Sequence, residues 1–310
     1  MFFMSEKIKW AAGGGAVLMA SLLFLFPNVV FESVSGSLEK CMTSILPPLF
    51  PMSVLSKQIC PYIRMKKSKT SERIAAITGF SIDTMPIFFI GLLCGYPIAS
   101  IVAKDLYEKG KITLSEAKKA VVLCNNASPA FLIFFVGKCI FSSQTTGCVL
   151  YLCQTIAVTV CARFMKADRY CNIKSAENFD CESLSSSVAR SAKSFVELCG
   201  FVIFFSLAGD LTCAVLGNFR VSAAAKTFIS GFFEAVSGVS KAARFPYFAR
   251  LFVVCFFCSF GGLSVGFQVR FCAGDGLFDA KQYVLTRLSV FVLTLFFSSI
   301  TLFLIQNSLL

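Results

Sequence analysis

The chain reads as an all-α, polytopic membrane protein of about seven transmembrane helices and two re-entrant hairpins, arranged in two inverted-repeat halves. Three observations predict this. Of the 310 residues 56% are hydrophobic and only 15% charged, with 36 Phe and a mean hydropathy of +0.75, a balance that water-soluble domains do not keep. Uncharged runs near the ~20 residues needed for a crossing recur along the chain. Two neighbouring runs are interrupted by helix breakers, Gly91-Leu92-Leu93-Cys94-Gly95-Tyr96-Pro97 and Asn125-Asn126-Ala127-Ser128-Pro129. Hydrocarbon offers no partner to a freed N–H or C=O, so unwound chain at that depth must face protein or a solute cavity.

Residues 1–40 form an N-terminal signal-anchor helix. Its uncharged run, Trp10 to Phe31, follows Lys7 and Lys9. It exceeds the ~7–15 residues of a secretion-signal core, and no clear Ala-x-Ala-like site follows, so it reads as uncleaved. The first repeat, 41–165, places a span at 41–60, carrying Pro47, Pro48, Pro51 and Lys57, a hairpin at 84–103, and spans at 120–140 and 143–163. A polar, Ser-rich cytoplasmic loop, 166–194, is the joint. The second repeat, 195–310, repeats the order: a span at 195–217 with Glu197 and Asp210, a short hairpin at 227–240, a span at 248–270, and a span at 283–307. Each half crosses an odd number of times, which turns the second upside down relative to the first.

Basic residues orient the chain, because cytoplasmic loops retain Lys and Arg. With the N-terminus cytoplasmic, three basic segments fall on one side: Arg64, Lys66, Lys67, Lys69 and Arg73; Lys104, Lys109, Lys111, Lys118 and Lys119; and Arg163, Lys166, Arg169, Lys174, Arg190 and Lys193. This holds only if the chain between Asp83 and Lys104 enters the membrane and returns, which Gly91, Gly95 and Pro97 permit; an ordinary kinked span is the alternative. The net charge of +12 therefore reads as topology and contact with the lipid bilayer. No compact basic, aromatic-bearing domain is present to bind nucleic acid. The expected location is the cell membrane, multi-pass.

Catalysis and metal chemistry find little support. The chain has no His, the commonest general base and metal ligand. Its 15 Cys are scattered through apolar runs, as at Cys124, Cys148 and Cys153, and the single CxxC, Cys255 to Cys258, lies within one. Buried small hydrophobes are the better reading. No GxxxxGK[ST] loop occurs. We therefore expect a non-enzyme without cofactors, driven by a coupling ion or by downhill flow.

The candidate site for a small-molecule solute comprises Gly95, Tyr96, Pro97, Asn125, Asn126 and Ser128 from the first half and Glu234, Ser237, Ser264 and Gln268 from the second. Half-helix N-termini in a hairpin present free N–H groups and a positive dipole end that hold an anion. Asn125, Asn126 and Ser128 add side-chain donors, the alternative being interhelical hydrogen bonds that only join helices. Glu234 is an acid inside an apolar hairpin, at a cost of roughly 2.5–3.5 kcal/mol, and is read as a proton or cation carrier. The alternative is a hairpin end in water, paired with Lys241. Tyr96 either stacks on an aromatic solute or anchors at the interface. Gly91, Gly95, Gly261 and Gly262 serve close packing or bends, and Asp83, Glu197 and Asp210 are expected in water.

Leu46-Pro47-Pro48-Leu49-Phe50-Pro51, Gly95-Tyr96-Pro97, the segment from Glu116-Ala117 to Asn125-Asn126-Ala127-Ser128-Pro129, Gly231-Phe232-Phe233-Glu234 and Phe260-Gly261-Gly262-Leu263-Ser264-Val265-Gly266-Phe267-Gln268 occur in that order. From about residue 40 the chain resembles sporulation integral membrane proteins of the YlbJ type, within the nucleoside-recognition, or gate-domain, superfamily. The resemblance implies a role in endospore formation, movement of a small anionic or nucleoside-like solute with dipicolinate the leading candidate, and sporulation membrane proteins as partners. Where relatives often have Gly-Ala, this chain has Ala99-Ser100, adding a hydroxyl near the hairpin. The alternative function is a membrane scaffold or partner-dependent gate that recruits other sporulation proteins through the basic loops 61–79, 104–119 and 166–194. Burial of Asn125, Asn126 and Glu234 at the midplane favours transport.

Overall fold

The computed structural model describes residues 6–59, 68–165, 183–217 and 221–308, and these contain helices and no strand. Of the basic residues used for orientation, Arg64, Lys66, Lys67, Lys166, Arg169 and Lys174 lie outside the described residues.

The expected first crossing is bent. Helix α1 (Glu6–Leu25) ends at Phe26 and α2 (Pro27–Lys40) leaves at 101°, because Pro27 has no N–H to continue the ladder and suits a helix start instead. The chain then passes residue 40 without a stop, through a π-helical turn, Cys41–Ile45, into α3 (Leu46–Ile59). Pro47 and Pro48 cannot donate to the carbonyls one turn earlier, and the Leu46 N–H bonds Cys41 O, so the backbone widens where donors are missing.

Helix α4 (Lys69–Thr78) is started by the reciprocal Ser68–Ser71 capping box and stopped by Gly79 at φ 73°. Next come α5 (Met85–Cys94) and α6 (Ile98–Glu108), separated by Gly95-Tyr96-Pro97, whose Tyr96–Pro97 peptide is cis. Helix α7 (Leu114–Leu123) begins on a Thr113–Glu116 capping box. It breaks over residues 124–129 before the π-helical segment Ala130–Ile140, and α8 (Gln144–Phe164) follows. The second half runs α9 (Leu184–Gly217), α10 (Ala223–Phe233), α11 (Ala235–Ala242), α12 (Tyr247–Phe260), α13 (Gly262–Ala273) and α14 (Ala280–Ser308). The segment expected as a hairpin at 227–240 lies within a longer helix pair, α10 and α11, with Glu234 at the break. Of the loop expected at 166–194, residues 184–194 are already the start of α9, and 166–182 lie outside the described residues.

The apolar side chains gather into two main cores. The first takes Ile87, Phe88 and Leu92 of α5, Ala99, Ala103 and Leu106 of α6, most of α7, and Val265, Val269 and Ala273 of α13. The second takes Leu132, Val136 and Ile140, Ala235, Val239 and Ala242 of α11, and much of α12. Helix α8 enters the second core with Val149 and Leu150 and the first with Val158 and Ala162, whereas α14 enters the first with Tyr283 and Val290 and the second with Leu302. The two helices therefore pack antiparallel. By the same criterion the chain from α7 to Ile140 passes from the first core to the second, while α12 to α13 passes back. The α5–α6 pair stays in the first core.

Among the described residues, four helical stretches are long and apolar enough to cross a membrane, Gln144–Phe164, Leu184–Gly217, Tyr247–Ala273 and Ala280–Asn307, and the bent pair at the N-terminus makes a fifth if it counts as one span. The chain has the helices of a multi-pass membrane protein.

Lys119, grouped above with the cytoplasmic cations, is 6% exposed. Its ammonium donates to Gly79 O at 2.6 Å and lies 5.2 Å from the Phe80 ring centroid, so a helix-terminal carbonyl and an aromatic face stand in for water.

Candidate functional site

The helix breaks meet where the cores adjoin. The Tyr96 N–H donates to Asn126 O at 3.0 Å, and the Tyr96 side chain packs on both cores. Gly95 has φ 78°, and a Cβ there would sit 3.0 Å from the Ser128 side chain; one on Gly262 (φ 69°) would sit 2.8 Å from Gly231 O. In each half, then, the break of the paired helices nests against the break of the following span, at a separation only glycine allows.

Beside these contacts lies a cavity of about 520 Å³ of non-atom space, its open mouth included. Five expected site residues are on its wall: Gly95, Tyr96 and Ser128 from the first half, Glu234 and Gln268 from the second. Helix α9 contributes Leu198 and Val202, and the π-turn and α3 contribute Ser44, Ile45 and Leu49. Pro97 faces a neighbouring cavity that shares Gln268.

The other four stand behind the wall. Asn125 Nδ2 donates to Ser100 Oγ and to Val121 O, each at 2.7 Å, so the Ser100 hydroxyl ties α6 to the break at 124–129. Asn126 Nδ2 donates to Leu123 O at 2.9 Å. Ser264 Oγ accepts from Gln268 Nε2 at 3.0 Å, and Gln268 Oε1 has no partner among the described residues. The Ser237 Oγ accepts from Lys40 Nζ at 3.1 Å and lies 3.4 Å from Ser206 Oγ.

Glu234 is 2% exposed and caps α11. Its Oε1 accepts from Val236 N–H at 3.0 Å and its Oε2 from Ser237 N–H at 2.7 Å. The α11 N-terminus is therefore not open to an anion, because the protein's own carboxylate takes those donors. This arrangement also removes the pairing with Lys241, whose ammonium bonds Asp210 Oδ1 at 3.1 Å and Ser230 Oγ at 2.6 Å. Asp210, expected in water, is half-buried along α9 and also accepts from Ser33 Oγ at 2.8 Å. Tyr96 is a wall of the site between two cores.

The residue that sequence reasoning passed over is Arg287. It is 1% exposed, donates from Nη1 to Asn126 Oδ1 at 2.9 Å, and lies 5.3 Å from the Tyr283 ring centroid. A cation inside the expected span 283–307 was the available signal. Lys40, beside Glu234, was overlooked because it sits at the edge assigned to the signal anchor.

No family model, curated protein or solved structure matches the chain.

Proposed function

We propose that the protein is an integral membrane transporter that moves a small anionic or nucleoside-like solute through the cavity between its two halves. The observation that carries this reading is the meeting of the Gly95–Pro97, 124–129, Glu234 and Gly261–Gly262 breaks beside one cavity. Irregular backbone at such depth is stable only when it lines a solute path or is buried in protein.

In this reading α5–α6 and α10–α11 are re-entrant hairpins, and the repeated element order, traversed in opposite senses, is an inverted repeat. Supporting it, the α7-to-Ile140 and α12-to-α13 stretches pass between the same two cores in opposite directions, which is how inverted-repeat transporters frame a midplane site. Glu234 does not oppose an anion, because its charge is held by two backbone N–H groups and by the nearby Lys40 ammonium on Ser237. Dipicolinate and endospore formation rest on the resemblance of the motifs alone.

The test is flux in vesicles containing the purified protein, with dipicolinate and uridine as separate solutes and imposed ion gradients. Flux of either above protein-free vesicles is expected, reduced in Glu234→Gln. No flux of either by folded protein would replace this reading with the scaffold or partner-dependent gate.

A further inference from the structure

Among the described residues Arg287 has no ion-pair partner; its Nη1 bonds Asn126, while Nε and Nη2 are buried without a partner of hydrogen-bond geometry among those residues. A guanidinium this deep without a carboxylate is costly, and proteins keep such a charge where something compensates it. The Tyr283 ring under the guanidinium compensates in part. The unused atoms are adjacent on one planar edge, the two N–H vectors that fit the two oxygens of a carboxylate.

The edge is joined to the central cavity by a short series of contacts. Arg287 Nη1 holds the Asn126 side chain, Asn126 O holds the Tyr96 N–H, and Tyr96 is cavity wall. On the other side, Val265 and Gln268 of α13 line the cavity, while a Cβ on Gly266 of the same helix would touch the Tyr283 ring at 3.8 Å. Tyr96 and α13 therefore separate the guanidinium from the cavity. Both adjoin glycine-bearing breaks, at Gly95 and at Gly261–Gly262, where the backbone can change direction.

We infer that Arg287 is the specificity-determining residue of this site: when Tyr96 and α13 shift, its Nε–Nη2 edge takes a carboxylate of the solute, selecting it over a neutral one. The inference rests on the transporter reading and narrows its solute to a carboxylate. Asn126 is then a positioning residue that holds the guanidinium through Nη1.

The experiment is equilibrium binding to the purified full chain in detergent, using dipicolinate, its uncharged diamide and uridine. Wild type is expected to bind the diacid at least tenfold more tightly than the diamide. Arg287→Gln should remove that preference, and Arg287→Lys, which keeps the charge but not the fork, should restore only part of it. The ratio of diacid to diamide is a readout that a structural role would leave unchanged, and size-exclusion profiles confirm that the variants are folded. Undiminished diacid preference in folded Arg287→Gln overturns the inference. Binding of uridine but not of the diacid overturns it while the transporter reading stands. Binding of none of the three, by folded wild type, overturns both.

Discussion

Glu234 caps the N-terminus of α11 with its own carboxylate, and removing it tests that assignment directly. In Glu234→Ala the N–H groups of Val236 and Ser237 lose acceptors now at 3.0 and 2.7 Å. Each orphaned buried donor costs about 1–3 kcal/mol. Relief from burying the carboxylate is offset because the nearby Lys40 ammonium, on Ser237 at 3.1 Å, loses its compensating charge. A net loss of about 2–4 kcal/mol is expected for Ala. For Gln, which keeps one carbonyl oxygen for one of the two donors, about 1–2 kcal/mol is expected. The assay is thermal denaturation in detergent followed by size exclusion. At roughly 2–4 °C per kcal/mol, Ala should melt well below Gln, and Gln below wild type. Equal melting of Ala and wild type would refute the cap, as would a Gln variant as unstable as Ala.

Three further outcomes follow from the packing. Gly91→Ala drives a Cβ into the backbone carbonyl of Cys124, so α5 must retreat from the break; a loss of about 1–3 kcal/mol, seen as a lowered melting temperature, is expected, and unchanged melting would contradict the close approach. Asp210→Asn and Lys241→Met should couple by about 0.5–1 kcal/mol in a double-mutant cycle, since the pair is half-exposed; zero coupling, with Lys241 coupled to Glu234 instead, would restore the pairing rejected above. Lys119→Met leaves Gly79 O without its 2.6 Å donor and should cost about 1–2 kcal/mol, whereas a stabilised variant would show that burying the ammonium outweighs the bond.

The class of molecule and most of the places where its helices break are legible in the chain alone. Composition and uncharged runs act through a local rule, that apolar helices of sufficient length partition into hydrocarbon, and Gly95, Pro97, Pro129 and Gly261 act on their own dihedrals and donors. Five of the ten expected site residues accordingly stand on one cavity wall. Pro27 was equally local, and the sharp turn there was legible but outweighed by the length of the apolar run around it. Which polar groups satisfy one another depends instead on how distant parts of the chain pack. Arg287 meets Asn126 across 161 residues of chain and Ser33 meets Asp210 across 177, and no period or motif encodes such pairings. Inside a bilayer water cannot serve as a default partner, so the role of each buried charge is set by its neighbour: Glu234 is a cap because Val236 and Ser237 present donors to it, and Arg287 keeps a free edge because Asn126 occupies only one of its nitrogens.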